Sequence, residues 1–363
     1  MTLQDHPTRS LWIGTFPVAG IGTEAGRGEG IWRTSIDLVT GRLEPAVQVC
    51  RTPAPSFLAR VPGRDVLLAT GEASPEGVLT AWAIEDGALR PLASVSSRGD
   101  SPTHVVAVPG LALVCNYMDG TVLALPLDEG GAPAGPGEAL RHRGGGPVRD
   151  RQQGSHAHSA TLTSEGGSAL VCDLGTDELR RLRIGPGQRP AVAEDGVAFR
   201  FPPGSGPRHA AFRAGGRLLD VVTELFAELV TLEWDGESAT EAWRCPAQID
   251  SRGRRALPSH IAPSADGTLL YLAHRGPGTV AVFSVPDEDD PEPLAVGEVP
   301  AGSTWPRHFA VVPGEDGQEF LVVAGEHAGR LDVLVRGQGE GMPRLLPEGF
   351  GASVPSAAFV LPG

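Results

Sequence analysis

The chain has 363 residues, a net charge of −14 and a hydrophobic fraction of 40%, with 49 Gly and 33 Pro. That much acidity argues against a nucleic-acid or anionic-membrane partner, and that much Gly and Pro argues against a helical protein. Every basic residue is Arg, so Lys-dependent Schiff bases and Walker-type phosphate loops are excluded.

Taken in chain order, the N-terminal residues show no basic-then-apolar leader pattern, and no apolar run approaches the ~20 residues of a membrane span. A soluble cytoplasmic protein is expected. Segments 11–16, 30–36 and 42–50 read as three strands with no first strand before them. The glycine-rich stretch 20–30 lacks a dinucleotide fingerprint and reads as a turn. From Pro55 onward a unit repeats. Its starts are Pro55-Ser56-Phe57, Pro102-Thr103-His104, His156-Ala157-His158, Pro207-Arg208-His209, Pro258-Ser259-His260, Pro306-Arg307-His308 and Pro355-Ser356-Ala357.

Each start opens a short apolar strand and a Gly-containing turn. A second apolar strand follows at 66–70, 111–115, 169–172, 217–223, 269–273 and 320–324. A third, alternating strand comes next, clearest at 78–84 and 279–285, and a weaker fourth ends the unit. Four strands per ~50 residues without helical periodicity predict an all-β, seven-bladed β-propeller of four-stranded antiparallel blades. Blades 1 to 6 take residues 55–350. Blade 7 joins 11–50 to 353–361, so that the C-terminal strand closes the ring within one domain spanning 1–363. The acidic run 287–292 reads as a solvated loop. The four cysteines, Cys50, Cys115, Cys172 and Cys245, form no CxxC and read as buried small hydrophobes.

Several stretches carry ionisable groups that a packed blade does not need. They are Arg151-Gln152 with His156-Ala157-His158-Ser159, Gly204-Ser205-Gly206-Pro207-Arg208-His209, Thr223-Glu224-Leu225 and His274-Arg275-Gly276. With Gly41-Arg42-Leu43, Pro55-Ser56-Phe57-Leu58 and Cys115-Asn116-Tyr117, they make the chain resemble, over its whole length, the β-propeller lactonases. That family includes one type of 6-phosphogluconolactonase and the fungal 3-carboxy-cis,cis-muconate cyclase.

The resemblance implies a catalytic set of His158, Arg208, Glu224 and Arg275. The bottom-up chemistry agrees. A His can take a proton from water, Arg groups can hold an oxyanion and an acidic group, and a Glu between them can orient both. His156, Arg151, Glu72, Tyr117, His104 and His274 are expected to line the substrate site, with Arg149 and Arg151 available to a phosphate. Thr223 and His274 stand where the family usually has Asn, and on that basis are expected to alter specificity.

Simpler readings stand beside these. His104, His158, His209, His260 and His308 share one position in the repeat, as a packing device would. Arg307 repeats the setting of Arg208 and reads as a brace between blades. His156 and His158 have chelating spacing, but no HExxH or acidic loop accompanies them. No metal and no cofactor is expected, and the absence of GxSxG excludes a serine hydrolase. The expected activity is metal-independent hydrolysis of a lactone or acidic sugar-like substrate at one mouth of the channel. A lactone-forming cyclase or isomerase is the first alternative and a non-catalytic binding scaffold the second. Oligomeric state is not legible.

Overall fold

The computed structural model describes residues 6–16, 30–187, 190–250, 253–285, 287 and 289–363. The turn expected at 20–30 lies outside these residues except for Gly30. The chain forms seven antiparallel sheets, the blades of a β-propeller. Among the described residues the one helical element is the short 3-10 turn Glu348–Phe350. No helix is long and apolar enough to cross a membrane.

The chain divides into two compact units. One holds blades 1 to 4 (residues 53–247, with the hairpin segment Asp287–Glu292), and the other holds blades 5 to 7. Within the first unit, each blade pairs its strands in sequence order. Blade 4, for example, runs Pro207–Phe212, Leu218–Thr223, Glu228–Trp234 and Ala239–Pro246. Second strands are buried throughout, as in Val66–Gly71 and Leu218–Thr223, because both faces are covered. They therefore read as unbroken apolar runs rather than alternating ones. Fourth strands such as Ala88–Ser96 are mostly exposed and alternate. Facing blades bury a shared apolar layer. Leu68 and Leu79 of blade 1 meet Val114 and Leu123 of blade 2 in one cluster. Leu123→Ala is expected to cost about 2–5 kcal/mol, read as a lower urea midpoint. Asp287–Glu292 is not simply solvated, since Arg213 donates to the carbonyl of Asp290 (2.5 Å) and Arg217 pairs with Asp289 (3.1 Å).

In the second unit the C-terminal strand Ala357–Pro362 pairs with Thr8–Thr15 (Ile13 opposite Val360), completing blade 7 as expected. Blade 6 gains a two-residue strand, Ala352–Ser353, on the edge of Arg330–Arg336. Cys115 and Cys172 are buried as expected, whereas Cys50 and Cys245 are only partly so.

Strand register corrects the repeat. In blade 4, Pro207 faces Thr223 and His209 faces Val222, which leaves Arg208 as the extra residue of a β-bulge. In blade 3, Ala157 faces Asp173 and Ser159 faces Cys172, so the bulged residue is His158. His158 is therefore the counterpart of Arg208, not of His209, and Ser159 takes the histidine position. Blades 2, 5 and 6 bulge at Thr103, Ser259 and Arg307. In blade 7 the residue at the histidine position is Phe359 rather than Ala357.

A second repeated tie fixes the alignment. In six of the blades the residue after the second strand donates its N–H to the carbonyl two residues before the bulge. Such pairs are Glu72 to Ala54, Tyr117 to Ser101, Leu174 to His156, Glu224 to Gly206, Glu326 to Trp305 and Phe16 to Ser356. Five of these carbonyl residues are left-handed: Ala54 (φ 40), Ser101 (φ 55), Gly206 (φ 64), Trp305 (φ 60) and Ser356 (φ 49).

The histidines at the shared position pack as expected of a repeated filler. His104 lies 4.1 Å from the Phe57 ring and 5.9 Å from that of His209. In the other unit His308 lies between His260 (3.9 Å) and Phe359 (4.0 Å).

Candidate active site

The bulge removes an obstacle. Under strict alternation His158 and Arg208 would face opposite ways if one were the second and the other the third residue of its repeat. As equivalent bulged residues of adjacent blades they are presented alike. Their carbonyls are held by hydroxyls of the preceding blade: Thr103 donates to that of His158 (3.2 Å) and Ser159 to that of Arg208 (2.8 Å). The His158 ring stands edge-on to Tyr117 and to His209, both at 5.4 Å between centroids.

Glu224 follows the second strand of blade 4 and is the hub of the site. One carboxylate oxygen accepts from Arg208 Nε (3.0 Å) and the other from an Arg151 Nη (2.7 Å). Glu224 and Arg208 are buried, while the Arg151 side chain keeps one fifth of its surface. The same Arg151 nitrogen donates to the Tyr117 hydroxyl (3.2 Å). Burial raises the Tyr117 pKa; Arg151 opposes that rise and Glu224 adds to it, so the phenol keeps its proton at neutral pH. Burial acts to lower the pKa of Arg151, but the charge of Glu224 and the hydrogen bonds to Tyr117 and Glu224 more than reverse this. Burial, with help from the charge of Arg208, pushes His104 down to about 3. It is neutral and accepts from the N–H of Ala160 at Nδ1 (3.4 Å).

The stretch 151–158 divides its labour residue by residue. Arg151 reaches Glu224. Gln152 donates to the Leu174 carbonyl (2.9 Å) and to Asp177 (2.7 Å). Asp177 in turn accepts the N–H groups of Gly204 and Gly206, which sets the loop that delivers Arg208. Asp173 accepts from the Ser155 hydroxyl (2.5 Å) and from the His156 N–H (2.8 Å). Buried Arg180 holds Asp173 (3.3 Å) and Glu194 (3.0 Å). His156 donates from Nδ1 to the Tyr117 carbonyl (2.6 Å) and stacks under the Tyr117 ring at 4.7 Å. It positions Tyr117. Asp173, Asp177 and Arg180 were not anticipated from sequence. Asp173 was findable, because it ends its second strand as Asn116 and Thr223 end theirs.

His142, a few residues before Arg151, places its two ring nitrogens 2.6 Å from Glu178 and 2.8 Å from Glu194. Its pKa is raised, chiefly by the bond to Glu194 and further by Glu178, against burial and the charge of Arg180. The folded state thus favours the imidazolium. That stabilisation is full below the unfolded value near ~6.5 and is lost as pH rises through the raised folded value. The melting-temperature advantage of wild type over His142→Asn is therefore expected to shrink as pH rises above about 6.5.

The other expected residues lie as follows. Glu72, at the Glu224 position of blade 1, is partly buried, and Arg149 is exposed. Arg275 and His274 belong to the other unit. There Arg275 donates to the carbonyls of Leu257 and Pro258 (both 3.3 Å). His274, expected to touch substrate, is fully buried, is pushed by burial down to about 3, and sits 3.7 Å from Glu298. Thr223 is also fully buried; its hydroxyl oxygen accepts from the N–H of Glu228 (3.1 Å) in its own blade's turn. Both departures from Asn thus serve blade interiors. Among the described residues no group of three or more His, Cys, Asp or Glu is placed to hold a metal.

The chain matches the family model for lactonases with a seven-bladed β-propeller over residues 10–362. The chain belongs to that family. As a lactonase it is 30% identical over 342 residues to the 6-phosphogluconolactonase of Bacillus subtilis, covering 93% of each chain. It is 26% identical to the 6-phosphogluconolactonase of Formosa agariphila, covering 93% of this chain and 95% of the other. Among solved structures, the periplasmic gluconolactonase of Pseudomonas aeruginosa superposes with a TM-score of 0.85 at 26% identity, covering 98% of this chain and 99% of that one. The chain is an enzyme of the 6-phosphogluconolactonase-like lactonase family.

Proposed function

We propose that this lactonase opens a sugar-derived lactone by metal-independent hydrolysis at the residues presented by blades 2 to 4. The observation that carries the reading is Glu224, which bridges Arg151 and Arg208 beside Tyr117 and His158. His158 takes a proton from water as the water oxygen bonds to the lactone carbonyl carbon. Positive charge from Arg208 and Arg151, held in place by Glu224, stabilises the oxyanion. The ring C–O bond then breaks, and the proton passes from His158 to the departing alkoxide, giving a hydroxy acid. The Tyr117 phenol, still protonated, orients a substrate oxygen.

The names of the relatives make gluconolactone, with or without a 6-phosphate, the first substrates to test. A pH-stat assay against both, run in ¹⁸O-labelled water, decides. Hydrolysis puts one solvent oxygen into each new carboxylate, whereas lactone formation puts in none. Thr223 and His274, both fully buried within their blades, lend no support to a cyclase. The expected role of Arg275, holding an acidic group, is tested by Arg275→Met, which should raise KM for the phosphorylated lactone more than for the plain one. A cytoplasmic location belongs to the same proposal, and fractionation of the native host tests it, given that the Pseudomonas relative is periplasmic.

A further inference from the structure

In blades 2 to 6 the turn after the second strand has a left-handed residue at one fixed place. It is Gly120 (φ 68) in blade 2, Ala227 (φ 58) in blade 4, Gly278 (φ 73) in blade 5 and Gly329 (φ 63) in blade 6. In blade 3 it is Asp177 (φ 59). Glycine bears this conformation most readily, and in three copies the turn closes on it with no side chain at all. The turn therefore does not need the Asp177 carboxylate, yet that side chain is kept and is buried.

What it holds is the backbone around the hub. One oxygen accepts from the Gln152 amide (2.7 Å) and from the Gly206 N–H (2.8 Å), the other from the Gly204 N–H (2.7 Å). Gln152 adjoins Arg151, and its amide oxygen also accepts from the N–H of Val148 (3.1 Å), which anchors the loop that delivers Arg151. Gly206 lies two residues before Arg208, and its carbonyl accepts the N–H of Glu224 (2.7 Å). One carboxylate thus fixes the chain beside Arg151, Arg208 and Glu224 at once. The two guanidinium groups repel each other, and Glu224 can meet both only while their loops keep a set separation.

We infer that Asp177 is a positioning residue of the lactonase, setting the placement of Arg151 and Arg208 on Glu224. The inference rests on the role proposed above for those two arginines at the oxyanion. Asp177→Gly suits the turn, as Gly120, Gly278 and Gly329 show, but it removes the acceptor shared by the Gln152 amide and two N–H groups and so loosens both loops. kcat should fall by about 10- to 10²-fold, the cost of an ångström-scale misplacement. KM should change little, because the arginines act on the transition state.

A second measurement needs no substrate. The Nε–H resonance of Arg208 reports its 3.0 Å bond to Glu224, and in the full chain labelled with ¹⁵N-arginine it can be assigned from Arg208→Lys. It should move in Asp177→Gly. Asp177→Asn keeps the shape and one acceptor oxygen, so it should return both kcat and the resonance part-way to wild type. Wild-type kcat in Asp177→Gly, or an Arg208 resonance that stays in place, overturns the inference. A lowered melting temperature with both readouts unchanged does so too, since Asp177 would then serve packing alone. Should the glycine variant not fold, Asp177→Asn carries the same two readouts. If wild type opens neither lactone, the hydrolysis reading fails by itself, and the resonance still decides whether Asp177 sets the hub.

Discussion

Alanine in place of His158 is expected to lower kcat/KM for lactone hydrolysis by about 10²–10⁴, the usual contribution of a positioned general base. The melting temperature should stay close to that of wild type. The bulge is held through the backbone carbonyl of residue 158, which accepts from Thr103 whatever the side chain is. The acid limb of the wild-type pH–rate profile should vanish in the variant, because the group whose protonation causes it is gone. A folded His158→Ala enzyme with full activity would falsify the assignment. A large loss of stability with little loss of rate would make His158 a packing residue, like His104 and His209 beside it.

Removing Glu224 should be costly in a different way. In Glu224→Ala, Arg208 and Arg151 lose the carboxylate between them, and Arg208 is left buried and charged. Breaking such a pair typically costs about 3–5 kcal/mol, so chemical denaturation should show a marked drop in stability together with loss of turnover. Glu224→Gln keeps the shape and one acceptor. It should recover part of the stability while kcat stays low, because the two guanidinium groups would no longer be oriented by charge. Wild-type stability in Glu224→Ala would mean that the pair is not formed in solution.

Much of the blade plan was legible because it rests on period and spacing. Second strands read as apolar runs since both their faces are covered, and the split blade 7 followed from an unpartnered first strand at 354–361. The bulge was not legible. An extra residue leaves no mark on composition, and the His-x-His of blade 3 invited alignment of His158 with His209, one residue off. At the site, residue types pointed to His158, Arg208 and Glu224, but not to the fact that Arg151 supplies the second arm of the hub. That contact joins residues 73 apart, with all of blade 3 between them, and only the folded chain brings them together. Thr223 and His274 misled for a related reason. They adjoin Glu224 and Arg275 in sequence, yet each is fully buried within its blade.

The bulged position also bears on how such a chain diversifies. A bulged residue stands outside the ladder pairing, so exchanging its side chain forfeits no strand-to-strand hydrogen bond. In six of the blades its partner after the second strand is tied down by its backbone N–H, again whatever its side chain. Duplication of one ancestral unit would thus yield seven sockets whose contents mutate almost independently of the frame: Ser56 with Glu72, Thr103 with Tyr117, His158 with Leu174, Arg208 with Glu224, Ser259 with Arg275, Arg307 with Glu326 and Ala358 with Phe16. Moving a pair from one socket to another is a practical route to new specificity, because the chemistry can be rewritten while every blade keeps its register.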